Sequence, residues 1–430
     1  MRKWYSLIDK VYALPRLEQA YREVRKNKGS RAKGVDNQSI ADFSSALEEN
    51  LCQLSRELKE GRYKPQPVRR VYIDKPDGSK RGLGIPTIKD RIVQQSLLNM
   101  LQPIFDPEFH PSSYGYRPKR SAHHAIAKAE RFSRYYGLDH VADMDLSKCF
   151  DTLDHRLIVQ SVGKRVSDGK ILKLIGSFLE SGALDGERFT PTKKGSPQGG
   201  IISPLLMNIY LDAFDQHMKN SGIRMVRFAD DVLLFAPTKA QAGNYMAKAT
   251  SYLENELGLE VNKNKSSLTN LAEGIHYLGV VIKPFGVVVS HKSIKRFKEK
   301  VKLLTPRTKG QSIAFYIKEL NPLLRGFANY FRIGLTKKLF QDLLSWIRRR
   351  LRMMVMKSWK SWKPLHRQLR RMGYKGNFLK ISVTRWRNSS TNLIHYALPN
   401  KYFTELGLYA MDTVEGNTLH QYYQTVLNKI

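Results

Sequence analysis

Cysteine is almost absent from this chain: only Cys52 and Cys149 occur in 430 residues, and they form no CxxC pair. This excludes a cysteine-rich zinc module and gives no sign of a disulfide framework, so we expect a reducing cytosol. Long uncharged stretches are also missing. The longest, 195–211, contains two prolines and three glycines, which makes it unsuitable as a membrane-spanning helix. The N-terminus lacks the apolar core of a signal peptide.

Acidic residues are scarce relative to basic ones, 38 against 73, which gives a net charge of +35. The excess is concentrated in residues 291–380, where 25 Lys and Arg face three acids and tryptophans are interspersed with the cations. Such a region repels itself unless a polyanion is bound, and tryptophan adds stacking to phosphate contact. The pattern therefore favours nucleic-acid binding over a solvated helix face. A membrane surface is disfavoured because no sustained apolar face accompanies the charges.

Enough apolar residues are present to build real cores. The hydrophobic fraction is 41%, with 18 Phe, 21 Tyr and 5 Trp, which excludes disorder as the main state. At roughly 150 residues per domain, the length predicts about three domains. Apolar periodicity predicts helices up to about residue 65, a mixed region of strands and helices to about 290, and helices beyond it.

Two segments of the mixed region combine apolar strands with carboxylates. Residues 139–145 read as a short strand that ends in acids, and 227–232 reads as a tight acidic turn between two strands. Neighbouring carboxylates resist joint ionisation, and a cation removes that penalty. Carboxylate oxygens suit Mg²⁺, and two such ions can activate an attacking oxygen while stabilising a leaving one. An Asp-Asp turn alone is weak support, because most such pairs are solvated.

The order of the motifs carries more weight than any single motif. The chain resembles the reverse transcriptases encoded by bacterial group II introns, through blocks that occur in the family's order: KGVDNQS, RGLGIPTIKDRIVQQ (81–95), SSYGYRPKRSAHHAI (112–126), DMDLSKCFD (143–151), GSPQGGIISPLLMNIYLD (195–212), RFADD (227–231), GLEVNKNKS (258–266), HYLGVVI (276–282) and LNPLLRGFANYFRIG (320–334). Neither the length nor the cysteines of an HNH nuclease are present, so the resemblance is to endonuclease-free, class C-like members.

The resemblance implies an α+β, right-hand polymerase fold with fingers, an antiparallel palm sheet with helices, a helical thumb and a small C-terminal module. The implied domains are an N-terminal helical extension (1–65), fingers and palm (66–290), a thumb or maturase domain (291–374) and a C-terminal DNA-binding module (375–430).

The resemblance also implies the catalytic residues. Asp145, Asp230 and Asp231 correspond to the metal-binding carboxylates, with the Leu146 carbonyl as a backbone ligand of two Mg²⁺ ions, for which Mn²⁺ could substitute. Asp145 is chosen over Asp143 because the family spacing Asp-x-x-x-x-Phe is met by Asp145 and Phe150.

Further residues are implied at the substrate. Phe150 would lie beneath the incoming sugar and disfavour a ribose 2′-OH, although a core aromatic is a serious alternative. Lys75 and Arg81, which flank a Pro-Asp-Gly turn, would fold over the triphosphate. Arg117 is a further phosphate-contact candidate, and each of these three could instead be an ordinary surface cation.

Three more positions complete the implied nucleotide and primer contacts. Gln198 in the PQGG loop would pack against the incoming nucleotide. Lys265 would contact the backbone on the primer side. Leu278 and Gly279 would form the turn that grips the primer.

The implied enzyme is an RNA-directed DNA polymerase that also assists group II intron splicing and mobility. Its expected partners are intron RNA, an RNA template with a DNA or RNA primer, target DNA and dNTPs, with no membrane, in a bacterial cytoplasm at the nucleoid. The oligomeric state stays open. Two alternatives remain: a domesticated relative in phage defence or DNA repair, and a splicing factor with an inactive polymerase, against which the intact carboxylates argue.

Overall fold

The computed structural model describes residues 3–74, 78, 80–306, 310–359, 361–389 and 391–427, and it divides into two compact units. The first unit ends at Thr269 and the second begins at Asn270. This division precedes residue 290, where the sequence predicts the palm to end, and the four-domain organisation stays a prediction. Helices combined with mainly antiparallel sheets confirm the α+β class.

The N-terminal region is helical, as predicted from its apolar spacing. Its helices are α1 (Ile8–Tyr12), α2 (Leu14–Lys26), α3 (Ile40–Ser45) and α4 (Leu47–Lys59). Leu17, Tyr21 and Val24 recur on one face of α2 and are all buried in the core of the first unit. Burying this stripe, rather than intrinsic helix propensity, stabilises such short helices.

A β-hairpin and a long helix follow. The sequence predicts them as extended segments at about 67–74 and 80–85 around a Pro-Asp-Gly turn and a helix at about 88–105. These elements are β1 (Val68–Asp74), β2 (Lys80–Ile85) and α5 (Ile88–Phe105). The strands pair in register from Arg69 opposite Ile85 to Asp74 opposite Lys80. Helix α5 begins at a threonine cap, where Thr87 Oγ1 accepts a hydrogen bond from the Asp90 amide at 3.1 Å. The predicted triphosphate contact Lys75 lies outside the described residues.

The next stretch contains the first carboxylate strand. Its elements are α6 (Ala122–Tyr135), β3 (His140–Asp145), α7 (Cys149–Thr152), α8 (His155–Gly163), α9 (Gly169–Glu180), β4 (Ala183–Asp185) and β5 (Arg188–Thr190). The sequence predicts helix up to the GSPQGG loop, and the β4–β5 hairpin corrects that expectation. Gly186 makes its turn in the left-handed region, at φ 61°, and β4 pairs in parallel with β1. The fingers sheet therefore has the order β2-β1-β4-β5.

The palm sheet is completed by elements of the second carboxylate segment. These are α10 (Ser203–Asn220), β6 (Arg224–Phe228), β7 (Asp231–Ala236), α11 (Lys239–Ser251) and β8 (Ser267–Asn270). The sheet has the order β6-β7-β3-β8. Helices α10 and α6 pack against β6, and α11 packs against β3 and β7. Because helices cover the sheet, the central strand β7 is apolar from Val232 to Ala236.

The second unit consists of a small sheet followed by helices, as predicted for the basic region. Its elements are β9 (Ile275–Tyr277), β10 (Val280–Lys283), β11 (Gly286–Val289), α12 (His291–Leu304), α13 (Ile313–Phe331), α14 (Lys337–Trp359), α15 (Trp362–Arg371), α16 (Val383–Asn388), α17 (Asn392–Ala397), α18 (Asn400–Glu405) and α19 (Tyr423–Leu427). Leu365, Leu369 and Ile394 form a small separate core near the C-terminus. Across the described part of the chain, no helix has the length and apolar character needed to cross a bilayer.

Candidate active site

The palm sheet brings the two carboxylate segments together. Strand β3 ends at Asp145, β7 begins at Asp231, and these residues are direct partners in the antiparallel pairing. Directly opposed residues of antiparallel strands have Cα atoms roughly 4.5–5.5 Å apart. Asp230 lies in the two-residue turn between β6 and β7. The carboxylate of Asp145 therefore lies at the same end of the sheet as those of Asp230 and Asp231, although it is distant from them in sequence.

The turn that carries Asp230 has an unusual backbone. Ala229 has a φ of 61°, a left-handed conformation that costs a non-glycine residue roughly 1–2 kcal/mol. In a two-residue hairpin turn, positive φ at the first central residue matches the twist of the flanking strands. Residues held in such conformations concentrate at functional sites, where the surrounding structure enforces them.

The buried side chain of Arg227 stabilises this turn through hydrogen bonds. Arg227 Nη1 donates hydrogen bonds to the Ala229 carbonyl at 3.0 Å and to Asn208 Oδ1 at 3.1 Å. Its Nε donates to Asp215 Oδ1 at 2.8 Å, and both charged side chains are fully buried. Arg227 thus links the conformation of the Asp230 turn to helix α10.

Gly115 packs directly against the backbone of this turn. A Cβ on Gly115 would lie 2.3 Å from the Ala229 nitrogen, so no larger residue fits there. The Gly115 carbonyl accepts a hydrogen bond from Asn208 Nδ2 at 2.9 Å. Asn208, for which structural and functional readings are equal from sequence, is therefore a support of the hairpin.

Burial and mutual repulsion shift the carboxyl pKa values upward. Burial, followed by the charges of Asp230 and Asp145, raises the pKa of Asp231 to about 6. The Asp230 pKa is also raised, mainly by burial, while Arg81 and Lys265 oppose the shift. Burial and the charges of Asp231 and Asp145 raise the pKa of Asp143 to about 7. The cluster is thus destabilised in its fully ionised form unless cations are bound.

A loop after α11 supports Asp145. Lys265 Nζ lies 3.3 Å from Asp145 Oδ2, and Asn262 Nδ2 donates to the same oxygen at 3.3 Å. The Asn262 amide donates to the Asp145 carbonyl at 2.8 Å, and Ser266 Oγ accepts from the Asp145 amide at 3.2 Å. Lys265 is mostly exposed, so its ammonium can leave Asp145 for another anion at little cost.

The donor atoms at this end of the sheet suit a hard divalent cation. They are carboxylate oxygens, and Leu146 follows Asp145 directly, in a single bridge with Val261. Within the described ranges, no three acidic, histidine or cysteine side chains already enclose a metal position. Mg²⁺ is usually bound by one or two carboxylates together with water and substrate phosphates, so these residues fit it without a closed protein cage.

Phe150 lies beside this cluster on α7. It is partly buried, and its ring meets that of Tyr116 edge-on, with centroids 6.2 Å apart. Tyr116 is about half exposed and has a φ of 56°. The Phe150 carbonyl accepts a hydrogen bond from the Ser196 amide at 2.7 Å, which ties α7 to the PQGG loop. The position of the Phe150 side chain beside the carboxylates is compatible with the predicted contact to a sugar.

The PQGG loop also contacts the fingers strand β2. The Gln198 carbonyl accepts a hydrogen bond from the Gly84 amide at 2.7 Å. Gly199 has a φ of 117°, and a Cβ there would lie 2.4 Å from the Gly84 carbonyl oxygen. Gln198 Nε2 donates weakly to Asp151 Oδ2, at 3.4 Å. Gly199 therefore permits a close approach of the two backbones, and Gln198 lies beside α7.

The phosphate-contact candidates differ in environment. Arg81 is exposed on β2, near enough to Asp230 to lower its pKa. Arg117 is buried, with Nε 2.8 Å from Asp106 Oδ1 and with Nη1 donating to the His110 and Ser113 carbonyls at 3.0 Å. Because these internal acceptors engage the Arg117 guanidinium, we assign it a structural role instead of the predicted phosphate contact.

The predicted primer-grip turn belongs to the second unit. Leu278 and Gly279 both have positive φ, 47° and 84°, in the connection between β9 and β10. Tyr330 Oη donates a hydrogen bond to the Leu278 carbonyl at 2.9 Å. The residue pair forms a tight turn as predicted, and its contact with a primer stays a prediction.

The basic run Arg348–Arg350 has internal partners in the second unit. Arg348 Nη2 lies 3.9 Å from Asp412 Oδ2, Arg349 Nε donates to the Asn388 carbonyl at 3.3 Å, and Arg350 Nη2 donates to the Thr305 carbonyl at 2.9 Å. Helix α12, by contrast, carries six exposed cations. They are Lys292, Lys295, Arg296, Lys298, Lys300 and Lys302.

Sequence reasoning missed the residues that support the cluster. Arg227 immediately precedes the FADD segment, and Asp215 lies on a different element, so no local spacing connects them. Asn262 occurs in a polar loop without periodicity. Only the buried position of Arg227 on an otherwise apolar strand offers a signal, because a buried charge requires a partner.

Comparison with known proteins adds two family matches. Residues 73–282 match the reverse transcriptase (RNA-dependent DNA polymerase) model, and residues 294–373 match the maturase-specific domain of group II introns. A telomerase structure from Candida albicans aligns over 77% of this chain and 68% of its own, at 13% identity with a TM-score of 0.41, which is too distant to support an argument.

Two curated relatives are similar over long stretches. Protein YkfC of Escherichia coli is 35% identical over 300 residues, which cover 61% of this chain and 79% of YkfC. The group II intron-encoded protein LtrA of Lactococcus lactis is 39% identical over 198 residues, 46% of this chain but only 32% of LtrA. With both domain models matched in the order of the sequence motifs, the chain belongs to the group II intron-encoded reverse transcriptase and maturase family.

Proposed function

We propose that this protein is a Mg²⁺-dependent RNA-directed DNA polymerase that extends a DNA or RNA primer along an RNA template. The observation that carries the proposal is the pairing of Asp145 with Asp231, beside the Asp230 turn. Carboxylates with raised pKa values at the end of one sheet repel one another when they are ionised. A bound divalent cation offsets this repulsion.

The chain's own residues would orient the reactants. When bound, two Mg²⁺ ions supply activation of the primer 3′-oxygen and stabilisation of the pyrophosphate, with Mn²⁺ able to substitute. Asp145 and Asp231 would hold them from opposite strands, and Asp230 from the turn, with the Leu146 carbonyl as an additional ligand. The left-handed Ala229, bonded to Arg227, fixes the turn before substrate arrives, which reduces the reorganisation needed for reaction.

Other residues would select and place the incoming dNTP. Arg81 carries a positive charge near the carboxylates, where the nucleotide phosphates would lie. Phe150 would pack beneath the sugar and crowd a 2′-hydroxyl, and Gln198 would contact the nucleotide from the PQGG loop. Lys265 is mostly exposed, and its ion pair with Asp145 is weak. Its ammonium would therefore contact the primer-side backbone instead.

The second unit would bind RNA. The match to the maturase-specific domain supports a role in group II intron splicing and mobility, with intron RNA and target DNA as partners. Six exposed cations on α12 supply a sequence-independent attraction to phosphates. The C-terminal stretch 375–430 is proposed as the DNA-binding module, which would bring the protein to the bacterial nucleoid.

The test of the polymerase is primer extension on poly(rA)/oligo(dT) with Mg²⁺, using wild type, Asp230→Ala and Asp145→Asn. We expect each variant to lose activity by on the order of a thousandfold, while RNA affinity changes less than about twofold. Asp139→Asn, a partly exposed carboxylate just before β3, is the matched control. Substantial residual extension by purified Asp230→Ala would refute the assignment.

The maturase role needs a separate test, because a domesticated relative would also extend primers. Self-splicing of the RNA that flanks the gene is measured with and without the protein at low Mg²⁺. Stimulation by wild type and by Asp230→Ala alike would support a splicing role that is independent of polymerisation. An absence of intron structure around the gene would instead favour the domesticated enzyme.

A further inference from the structure

Residues 112–116 run beside strand β6 in the first unit. Ser113 forms a parallel bridge with Arg227, whose carbonyl accepts a hydrogen bond from the next amide of the segment at 2.9 Å. The two segments run in the same direction, and Tyr116 lies as many residues beyond Ser113 as Asp230 lies beyond Arg227. This pairing therefore carries Tyr116 to the turn that contains Asp230.

Two contacts fix the backbone just before Tyr116. A Cβ on Gly115 would lie 2.3 Å from the Ala229 nitrogen, so these two backbones are packed directly together. The Gly115 carbonyl also accepts a hydrogen bond from Asn208 Nδ2 at 2.9 Å. Tyr116 itself has a φ of 56°, which is unfavourable for a residue with a Cβ. Residues held in this conformation concentrate at functional sites, where the surrounding packing enforces them.

The side chain of Tyr116 is not a core residue. It is 53% exposed, although its ring is a large apolar surface. The ring meets that of Phe150 at an interplanar angle of 76°, with the centroids 6.2 Å apart. This edge-to-face arrangement is a favoured geometry of aromatic pairs. Tyr116 thus limits the orientations that the Phe150 ring can adopt, while much of its own surface stays open to a ligand.

Charged groups of the candidate active site act on the Tyr116 phenol. Burial, followed by the charge of Asp230, raises its pKa, Arg81 opposes the shift, and Asp231 adds to it. Tyr116 is therefore near both the carboxylates proposed to hold Mg²⁺ and the arginine proposed to meet the phosphates. In a nucleotide the sugar lies between the phosphates and the base. A ring beside Phe150 and near these charges is placed to contact that sugar.

We propose that Tyr116 is a second specificity-determining residue for the sugar of the incoming nucleotide. Its ring holds Phe150 in the edge-on orientation and forms an adjacent wall of the sugar pocket. Without that ring, Phe150 can turn aside and leave room for a ribose 2′-hydroxyl. The inference rests on the proposed polymerase function, and it gives a role to a residue to which the sequence motifs assign none.

The experiment compares kcat/KM for dTTP with kcat/KM for UTP on poly(rA)/oligo(dT), using wild type, Tyr116→Ala and Tyr116→Phe. We expect the ratio of dTTP over UTP to fall by about tenfold in Tyr116→Ala, because pocket changes of this size alter discrimination by roughly 10–200-fold. Tyr116→Phe keeps the ring and should keep the ratio within about twofold. Both replacements have a Cβ, so they bear the same unfavourable φ.

Tyr135→Ala is the matched control. Tyr135 is 54% exposed and ends α6, before the end of β3 that is opposite to Asp145. This variant should leave the ratio unchanged. An unchanged ratio in Tyr116→Ala, or an equal loss of activity with dTTP and UTP, would overturn the proposal and make Tyr116 a packing residue. Equal falls in Tyr116→Phe and Tyr116→Ala would overturn the role of the ring in favour of the hydroxyl.

A double variant tests whether the two rings act as a unit. If Tyr116 works by orienting Phe150, removing it matters little once Phe150 is absent. We expect Phe150→Val combined with Tyr116→Ala to lower the ratio by no more than about twofold beyond Phe150→Val alone. Effects that multiply in the double variant would contradict the coupling.

A binding measurement keeps this proposal separate from the polymerase proposal. The affinities of dTTP and UTP are measured for the complex with a dideoxy-terminated primer, which cannot be extended. Tyr116→Ala should narrow the difference between the two affinities. If wild type fails to extend primers but this narrowing is observed, the polymerase proposal fails and the role of Tyr116 stands. If wild type extends primers and Tyr116→Ala changes neither ratio, only the role of Tyr116 fails.

Discussion

Arg227 and Asp215 form an ion pair in which neither side chain is exposed to solvent, and Arg227 lies one strand residue before the turn that carries Asp230. Breaking a buried pair by removing one partner costs roughly 3–5 kcal/mol, because the other charge stays buried and uncompensated. The same guanidinium bonds to the Ala229 carbonyl, so the pair joins the stability of the palm to the position of Asp230.

The Arg227→Lys variant tests this link. The charge is kept, but an ammonium cannot bond to Asp215, Asn208 and Ala229 in the fork geometry of a guanidinium. We expect a loss of about 2 kcal/mol in the free energy of unfolding and a fall in kcat of about tenfold, with little change in the KM for dNTP. Arg224→Lys, at an exposed position on the same strand, is the control. An unaltered kcat in a destabilised Arg227→Lys would reduce Arg227 to a purely structural residue.

Phe150 provides a test of sugar discrimination. Replacing it with Val removes the ring that would crowd a ribose 2′-hydroxyl, and pocket changes of this size alter discrimination by roughly 10–200-fold. We expect the ratio of kcat/KM for dNTP over NTP to fall by at least about tenfold. Phe189→Val, at an exposed aromatic position on β5, should leave the ratio unchanged. If Phe150→Val lowers activity with both nucleotides equally, Phe150 is a packing residue.

Gly199 tests the contact between the PQGG loop and β2. An alanine there would combine an unfavourable φ of 117° with a Cβ 2.4 Å from the Gly84 carbonyl oxygen. We expect the loop to shift and the KM for dNTP to rise several-fold, because Gln198 moves with it. Gly186→Ala also has positive φ, 61°, but meets no atom within 4 Å, so it separates backbone strain from the steric clash. Equal KM effects in both variants would exclude a specific role for this contact.

The exposed face of α12 is expected to carry the electrostatic part of RNA binding in the second unit. Changing Lys292, Lys295 and Arg296 to Gln should lower the slope of log affinity against log salt by about 2 on a structured RNA. Changing Arg348–Arg350 to Gln should mainly lower the melting temperature, because their hydrogen bonds and ion pair are internal. A larger salt effect from Arg348–Arg350 than from α12 would reverse this assignment.

The lowered pKa of the Asp168 carboxyl predicts that local stability is lost in acid. Burial raises the pKa of its carboxyl, but hydrogen bonds from the amides of Ile8, Leu7, Ile171 and Lys170 outweigh this and lower the pKa below its usual 3.8. A lowered folded-state pKa contributes stability that is present above about pH 4 and lost as the pH falls through the folded value.

The Asp168→Ala variant removes the acceptor of these four amides. We expect it to be less stable than wild type by about 2–3 kcal/mol at pH 7, and the difference to shrink only below about pH 4. Hydrogen exchange of the α1 and α9 amides measures it locally. The partly exposed Asp139, changed to Asn, serves as the control, and a difference that stays constant down to pH 3 would mean that the carboxylate charge is unimportant.

The sequence by itself determined the chemistry-bearing elements. A strand ending at Asp145 and a tight turn at Asp230 are both predictable. Apolar runs that stop at carboxylates allow few other secondary-structure assignments within a globular chain. The β1–β2 hairpin and helix α5 also begin and end close to their predicted residues, since caps, prolines and apolar periodicity are local signals. The family membership likewise follows from linear motifs.

Only the tertiary structure decided which cations are available to nucleic acid. In the sequence, nothing distinguishes Arg117 and Arg348–Arg350 from Arg81 or the α12 lysines. In the structure, internal acceptors form hydrogen bonds with the former. The Arg227–Asp215 pair and the β4–β5 hairpin could likewise not be predicted from the sequence. The physical reason is that hydrogen bonds and ion pairs between distant segments depend on how elements pack, and a linear sequence records the charges without recording their partners.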